Sequence, residues 1–290
     1  LYTTWLGGLL RRRAGRLTAT ALGVVLAVGL LASLGSFISA SKATMTQRAI
    51  RTVAVDWQIE TQQGADPGAV AAQVAATDHV TASETVSFAT TSGFESSKNG
   101  TTQTTGPGQV IGISDTYRAT FPAQFRDLSG ASNGVLLFQQ TAANLSAVPG
   151  DSISIGRDGL PPVIVTVAGV VDIPQADSLF QNAGAPIGAQ AQAPPDNVLI
   201  VPDATWHTLF DPLAGTRPDL IHTQSHARLD HQLPGDPASA YSDITGQARN
   251  LEVKLAGAGL VGDNIGATLS GARSDALYAQ VLFLFLGTPG

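Results

Sequence analysis

The most concentrated chemistry in the chain lies between Leu220 and His231, where His222, His226 and His231 accompany Asp230. On a helix, His222 and His226 stand at i and i+4, and two imidazoles on one face can hold zinc. The segment instead alternates. Leu220, His222, Gln224, His226, Arg228 and Asp230 interleave with Ile221, Thr223, Ser225, Ala227 and Leu229, which is the period of a strand. In a strand His222 and His226 point the same way but lie about 13 Å apart, beyond shared coordination. A solvated polar strand face accounts for them, and no metal ligand is nominated. Ser39-Ala40-Ser41-Lys42 matches S-x-x-K, in which a lysine helps to deprotonate an acylating serine. It sits at the end of an apolar run with no S-D-N or K-T-G after it, so Lys42 reads as an interfacial lysine that snorkels. G-x-x-x-x-G-K-[ST] and G-x-S-x-G are absent, the 22 acidic residues are spread singly, and there is no cysteine. That removes P-loop nucleotide binding, a paired-carboxylate hydrolase, thiol catalysis and Cys-ligated metals. No catalytic, cofactor or metal residue is assigned, and the chain is read as non-enzymatic. Asn99-Gly100-Thr101 and Asn144-Leu145-Ser146 are glycosylation sequons, meaningful only in a eukaryotic source.

The charge of these 290 residues is divided unevenly. Residues 1–51 carry Arg11, Arg12, Arg13, Arg16, Lys42, Arg48 and Arg51 and no acid, whereas residues 52–290 hold 9 basic and 22 acidic groups, a balance of −13. An acidic body excludes a nucleic-acid-binding domain, which needs a basic surface. From Leu17 to Ile38 the sequence is apolar and uncharged for 22 residues, about 33 Å as a helix and enough to cross a bilayer core of about 30 Å. Four arginines precede it and Lys42 alone follows closely, which predicts a cytoplasmic N-terminus and an extracytoplasmic chain after about residue 41 in a cell membrane. A cleaved signal peptide is the competing reading, but its apolar region is shorter and ends in a small-residue cleavage site that this sequence lacks. Ala19, Gly23 and Ala27 recur every four residues, as in helices that approach closely. After Asp275 the sequence ALYAQVLFLFLGTPG is again apolar apart from Gln280. Fifteen residues reach only about 22 Å, so this is expected to be a second membrane helix cut by the boundary of a fragment; a buried core helix is the alternative.

The intervening residues must form the body. Val53, Val55, Trp57 and Ile59 alternate with Ala54, Asp56, Gln58 and Glu60, predicting a half-buried strand. Asp66-Pro67 supplies an N-cap and first-turn proline for a short helix, and Val80 to Ala89 returns as a strand. This β-α-β opening fits a ferredoxin-like half. Thr90 to Gly108 is a polar tract expected as a hairpin tip or loop. Short runs at Gln109–Ser114, Gly134–Phe138, Asp151–Gly156 and Pro162–Asp172, separated by Pro149-Gly150 and Pro161-Pro162, predict a β-rich subdomain. Gln181 to Pro195 is a second loop, Asn197 to Val201 a strand, and Asp203 the cap of a short helix. Asp236-Pro237 opens a helix running to Gly257, and Asn264 to Gly287 continues without proline as a stalk entering the second span.

Several stretches carry a family resemblance. LLRRRAGRLTATALGVVLAVGLLASLGSF followed by VAVDWQIE resembles the start of FtsX/MacB-like permease subunits of ABC transporters. VPGDSISIG (Val148–Gly156) is similar to the Gly-Asp lead into a strand of that family's small β-rich subdomain. DNVLIVPDATWHTLF resembles its strand and helix returning to the main subdomain, and ARSDALYAQVLFLFLG its stalk and second membrane helix. The expected fold is α+β, with segments 1–16 cytoplasmic and 17–38 membrane helix. Residues 39–108 are stalk and first ferredoxin-like part, 109–196 an inserted β-rich subdomain, 197–262 the return, and 263–290 stalk and second span. The resemblance implies a permease of four or more helices with a large domain between helices 1 and 2. It implies a separate ATP-binding subunit docking on cytoplasmic loops beyond residue 290, and a second permease copy or half. It also implies outer-domain motion driven by ATP, serving export, lipoprotein release or mechanotransmission. The sensor region of a two-span receptor such as a histidine kinase shares the layout; a HAMP-like linker after the second helix would favour it.

Overall fold

The computed structural model describes residues 2–180, 183 and 195–287. The expected loop at Gln181–Pro195 lies outside the described residues except for positions 183 and 195. No proline interrupts the chain before Pro67, and helix α1 runs unbroken over Tyr2–Arg51. It closes where Thr52 Oγ1 donates to the Ala49 carbonyl at 2.8 Å. Strand β1 (Trp57–Thr61), helix α2 (Pro67–Ala75) and strand β2 (Val80–Thr91) follow. Asp66 caps α2 as its spacing predicts, accepting from the Gly68 amide at 2.9 Å with Pro67 in the first turn.

The polar tract beyond β2 is a hairpin of β3 (Gly93–Lys98) and β4 (Thr101–Thr104). Its tip is Asn99-Gly100, with φ of 49° and 79°, the residue pair that a right-twisted two-residue turn requires. Then come β5 (Gly108–Ile113), α3 (Tyr117–Thr120), β6 (Arg126–Gly130), β7 (Leu136–Phe138), α4 (Gln139–Leu145) and β8 (Ser152–Arg157). The apolar run at Pro162–Asp172, expected as one strand, is two: β9 (Leu160–Thr166) and β10 (Gly169–Asp172), which join different sheets. Next are α5 (Ala176–Leu179), β11 (Val198–Pro202) and α6 (Asp203–Phe210). Asp203 is the first residue of α6 rather than its cap; extended Pro202 holds the cap position and makes no side-chain cap bond. The chain closes with β12 (Ile221–Leu229), α7 (Pro237–Leu255), β13 (Gly259–Asp263) and α8 (Asn264–Gly287).

The larger sheet has nine strands in the order β13-β1-β12-β2-β5-β11-β7-β10-β6, and the smaller has β4-β3-β8-β9. The first four strands of the large sheet are antiparallel throughout, with α2 between β1 and β2 and α7 between β12 and β13. That is a ferredoxin-like pair of split β-α-β units. Everything between β2 and β12 is inserted into it. The insertion lengthens the same sheet through β5, β11, β7, β10 and β6, and folds β3, β4, β8 and β9 into the second sheet.

Both faces of the large sheet are covered over its central strands, whereas the edge strand β6 is exposed throughout. On one face Trp57, Ile59, Ala227 and Leu229 pack with Val70 and Val74 of α2, Ile244 and Leu251 of α7, and Ile265 and Leu269 of α8. Further along that face Val110, Leu199 and Val201 meet Trp206 and Phe210 of α6 and Phe94, Ile153 and Ile155 of the second sheet. The opposite face buries Val86, Phe88, Ile111 and Ile200 under Tyr117, Phe121 and Phe125 around α3. β1 is therefore buried on both sides, Gln58 as fully as Trp57, and not half-buried as its alternation predicts.

Candidate functional site: the polar strand face and the stalk junction

β12 confirms the strand reading of the histidines and corrects their environment. His222 and His226 lie on one face, but His226 is fully buried, not solvated. Its Nε2 donates to Gln224 Oε1 at 3.0 Å. A neutral ring then presents Nδ1 as acceptor, and the Tyr117 hydroxyl donates to it at 2.8 Å. Gln224 Nε2 donates onward to Glu60 at 2.7 Å. The directions are mutually consistent from α3 across β12 to β1. Burial alone pushes His226 down to about 3, so the ring stays neutral, and burial also pushes the Tyr117 hydroxyl up. His222 stacks flat on Phe88 at 4.7 Å. Among the described residues no cluster of three or more His, Asp or Glu side chains could hold a metal. This constellation braces the core.

The S-x-x-K lysine is likewise placed differently. Lys42 has a partner in the body: its Nζ donates to Asp236 Oδ2 at 2.8 Å, 194 residues away. Of the sequon residues, Asn99 is exposed at the hairpin tip, and Asn144, exposed on α4, donates to Asn197 at 3.2 Å.

The long-range polar contacts of the stalk converge on the connection between β12 and α7. Asp236 caps α7, as its spacing predicts, by accepting at Oδ1 from the amides of Ala238 (2.9 Å) and Ser239 (3.2 Å). Its other oxygen holds Lys42 of α1, and the Lys42 ammonium together with the capped amides keeps its carboxyl below the usual range. One turn further along α1, Thr46 Oγ1 donates to the Gly235 carbonyl at 2.8 Å. At the opposite end of the connection Asp56, almost wholly buried, accepts at Oδ2 from the Leu229 amide (2.7 Å) and from His231 Nε2 (2.9 Å). The Asp56 carbonyl accepts from the Asn264 amide at 3.1 Å, and Asn264 Nδ2 donates to the Val55 carbonyl at 2.8 Å. These bonds tie the start of α8 to the chain leaving α1. Asp263, opposite Trp57 in the β1–β13 register, accepts from Trp57 Nε1 at 3.1 Å and from the Gly266 amide at 2.8 Å.

Below this junction α1 and α8 run antiparallel. Phe37, Ile38, Ser41, Lys42 and Met45 of α1 line a narrow groove against Ala276, Ala279 and Gln280 of α8. Among the described residues α1 is the one helix long and apolar enough to cross a membrane, with mean hydropathy 2.3 over its most apolar window. Its apolar side chains there are bare: Leu30 is 72% and Leu31 70% exposed. Sequence reasoning found the helix and the Asp236 cap but missed Asp56, Asp263 and the partner of Lys42. Asp56 immediately precedes β1 and Asp263 ends β13, and no local spacing marks their convergence.

The described residues form an α+β domain that follows a helix long and apolar enough to cross a membrane. The chain belongs to the MacB-like periplasmic core domain family, whose model matches residues 17–256. It is an FtsX/MacB-like permease subunit of an ABC transporter, a membrane protein with an extracytoplasmic domain and a transporter component rather than a classical enzyme. Among solved structures it is similar to the extracellular domain of the noncanonic ABC-type transporter YknZ from Gram-positive bacteria, at 14% identity and a TM-score of 0.39, covering 71% of this chain and 99% of that one. It is also similar to the periplasmic region of MacB from Actinobacillus actinomycetemcomitans, at 11% identity and a TM-score of 0.40, covering 82% of this chain and 96% of that one. Among curated proteins none matches the chain.

Proposed function

We propose that this permease subunit transmits ATP hydrolysis by a partner subunit on the cytoplasmic side to motion of its extracytoplasmic domain, in export, lipoprotein release or mechanotransmission. α1 is then the first membrane helix, with its N-terminus cytoplasmic, and α8 leads into the second. The observation that carries this reading is the level at which the two helices become apolar. Phe37 and Ile38, at the end of the apolar run of α1, lie beside Ala279 and Gln280. From there α8 exposes Val281, Leu282 and Phe285. Both helices thus rise through a similar polar stalk, about 20 Å for residues 39–51 and about 22 Å for 264–278. A domain fixed to two adjacent membrane helices moves when they move.

The reading is tested by expressing the full-length subunit with its candidate ATP-binding partner and placing a spin label at Val253, which is 79% exposed on α7. ATP trapping is expected to shift the distance between labels on two permease copies. An unchanged distance in a complex that hydrolyses ATP, or failure of any ATP-binding subunit to co-purify, would overturn it.

A further inference from the structure

Two separate sets of polar contacts hold the short connection from Asp230 to Asp236. At its far end Asp236 and Gly235 grip Lys42 and Thr46 of α1. At its near end His231 sits on buried Asp56 in a left-handed backbone conformation, φ 56°, a strained position that persists only while its contacts hold it. Beside Asp56 lies Asp263, whose Oδ2 is buried and without a hydrogen-bond partner. We propose that this connection is a proton-sensitive latch that fastens the extracytoplasmic domain to the stalk: closed when His231 and Asp263 carry protons, released when they lose them.

The chemistry of the neighbours gives the sign. A protonated His231 makes an ion pair with Asp56, whereas a neutral ring leaves that carboxylate buried with one fewer charged partner. Protonated Asp263 is a neutral acid; ionised, it sets a second negative charge against Asp56 with one oxygen unsolvated. His231 is held above the ordinary histidine value chiefly by its hydrogen bond to Asp56, and burial pushes Asp263 up to about 6, with the Asp56 charge adding to it. Groups whose folded values are raised stabilise the folded arrangement at lower pH and lose that contribution as pH rises through the folded value. Both act in the same direction.

The surroundings leave few competitors. His231 also faces Arg228, which opposes its protonation, and Asp230, which favours it. Asp230 is paired with His79 at 3.0 Å, and His79 in turn feels Asp78 and, from α7, Asp243. Where α7 and α8 close over His231 they present Ile244, Gln247 and Ile265, all uncharged. Among the described residues Asp263 meets the Asp56 charge, the Trp57 indole and the Gly266 amide. The Asp236 carboxyl is held below the usual range chiefly by its hydrogen bond from Lys42, so the outer grip holds constant while the inner one titrates.

This inference rests on the reading of α1 and α8 as a stalk. It is tested without nucleotide or partner, so its failure is distinct from failure of ATP coupling. The full-length protein in lipid nanodiscs carries spin labels at Gln47 on α1 and Val253 on α7, and the distance is followed from about pH 5.5 to about pH 8. One narrow distance is expected at the acid end, with a second, broader population growing above pH 6; an identical distribution throughout overturns the latch. Asp263→Asn keeps the accepting oxygen and imitates the protonated acid, so with only His231 left to lose its proton the broad population at about pH 8 is expected to be smaller than in the parent; opening as in the parent overturns the role of Asp263. Asp236→Asn still caps α7 but loses Lys42. It is expected to broaden the distance at every pH with helical circular dichroism unchanged, and a narrow distance there refutes the outer grip. The parent titration decides the matter even where a variant fails to fold.

Discussion

His226 concentrates the residue-scale physics, because every polar atom of its ring is paired in a place water does not reach. Replacing it with leucine strands the Tyr117 hydroxyl and the Gln224 carbonyl, each at about 1–3 kcal/mol. Tyr117→Phe strands only one buried group, the His226 Nδ1 acceptor, and costs about 1–3 kcal/mol. Urea unfolding of the extracytoplasmic domain is expected to rank the two variants in that order. The pH dependence has a defined sign. With the folded value down to about 3 and an unfolded value of about 6.5, the neutral ring's contribution is complete above pH 6.5. It is lost as pH falls toward 3, because the unfolded chain takes up a proton that the folded chain refuses. A His226→Gln variant is therefore expected to lose less stability than the parent between about pH 7 and about pH 4. An equal loss would assign the acid sensitivity elsewhere.

At the scale of elements, the two halves are joined by strands that run side by side and by helices packed tightly over them. Gly112 of β5 lies under α6, where an added Cβ would fall 2.6 Å from Trp206 Cβ. The Trp206 indole is itself anchored by donation to the Val110 carbonyl at 3.2 Å. Gly112→Ala must push α6 away from the sheet, and such overpacking costs about 1–3 kcal/mol. Thermal unfolding with Trp206 fluorescence measures it; an unchanged midpoint would mean that α6 is loosely held. Elements of this kind were partly legible in the sequence. Asp66-Pro67, Asp236-Pro237 and Asn99-Gly100 mark two helix starts and a hairpin turn through their own neighbours. The division of Pro162–Asp172 into β9 and β10 was not, since the break at Val167-Ala168 carries no turn residue and arises because the two strands serve different sheets.

At the scale of the molecule the arrangement depends on which side of the membrane each part occupies. The absence of cysteine in these 290 residues makes labelling direct. With Arg12→Cys, a membrane-impermeant maleimide is expected to react only after the membrane is opened. With Thr102→Cys, on the exposed hairpin strand β4, it is expected to react on intact cells. The reverse pattern would invert the topology and remove the permease reading.

The sequence by itself determined what depends on neighbours: a charge-flanked apolar helix, the strand period through the histidines, the caps, and the β-α-β opening of a ferredoxin-like half. Tertiary structure decided what depends on distant partners. A strand's alternation says that two faces differ, but only the arrival of α3, about a hundred residues earlier in the chain, made the polar face of β12 a buried one. Lys42 and Asp236 are 194 residues apart, and Asp56 and His231 175. Such pairs have no periodicity to announce them, because the chain between them must fold before their charges can meet.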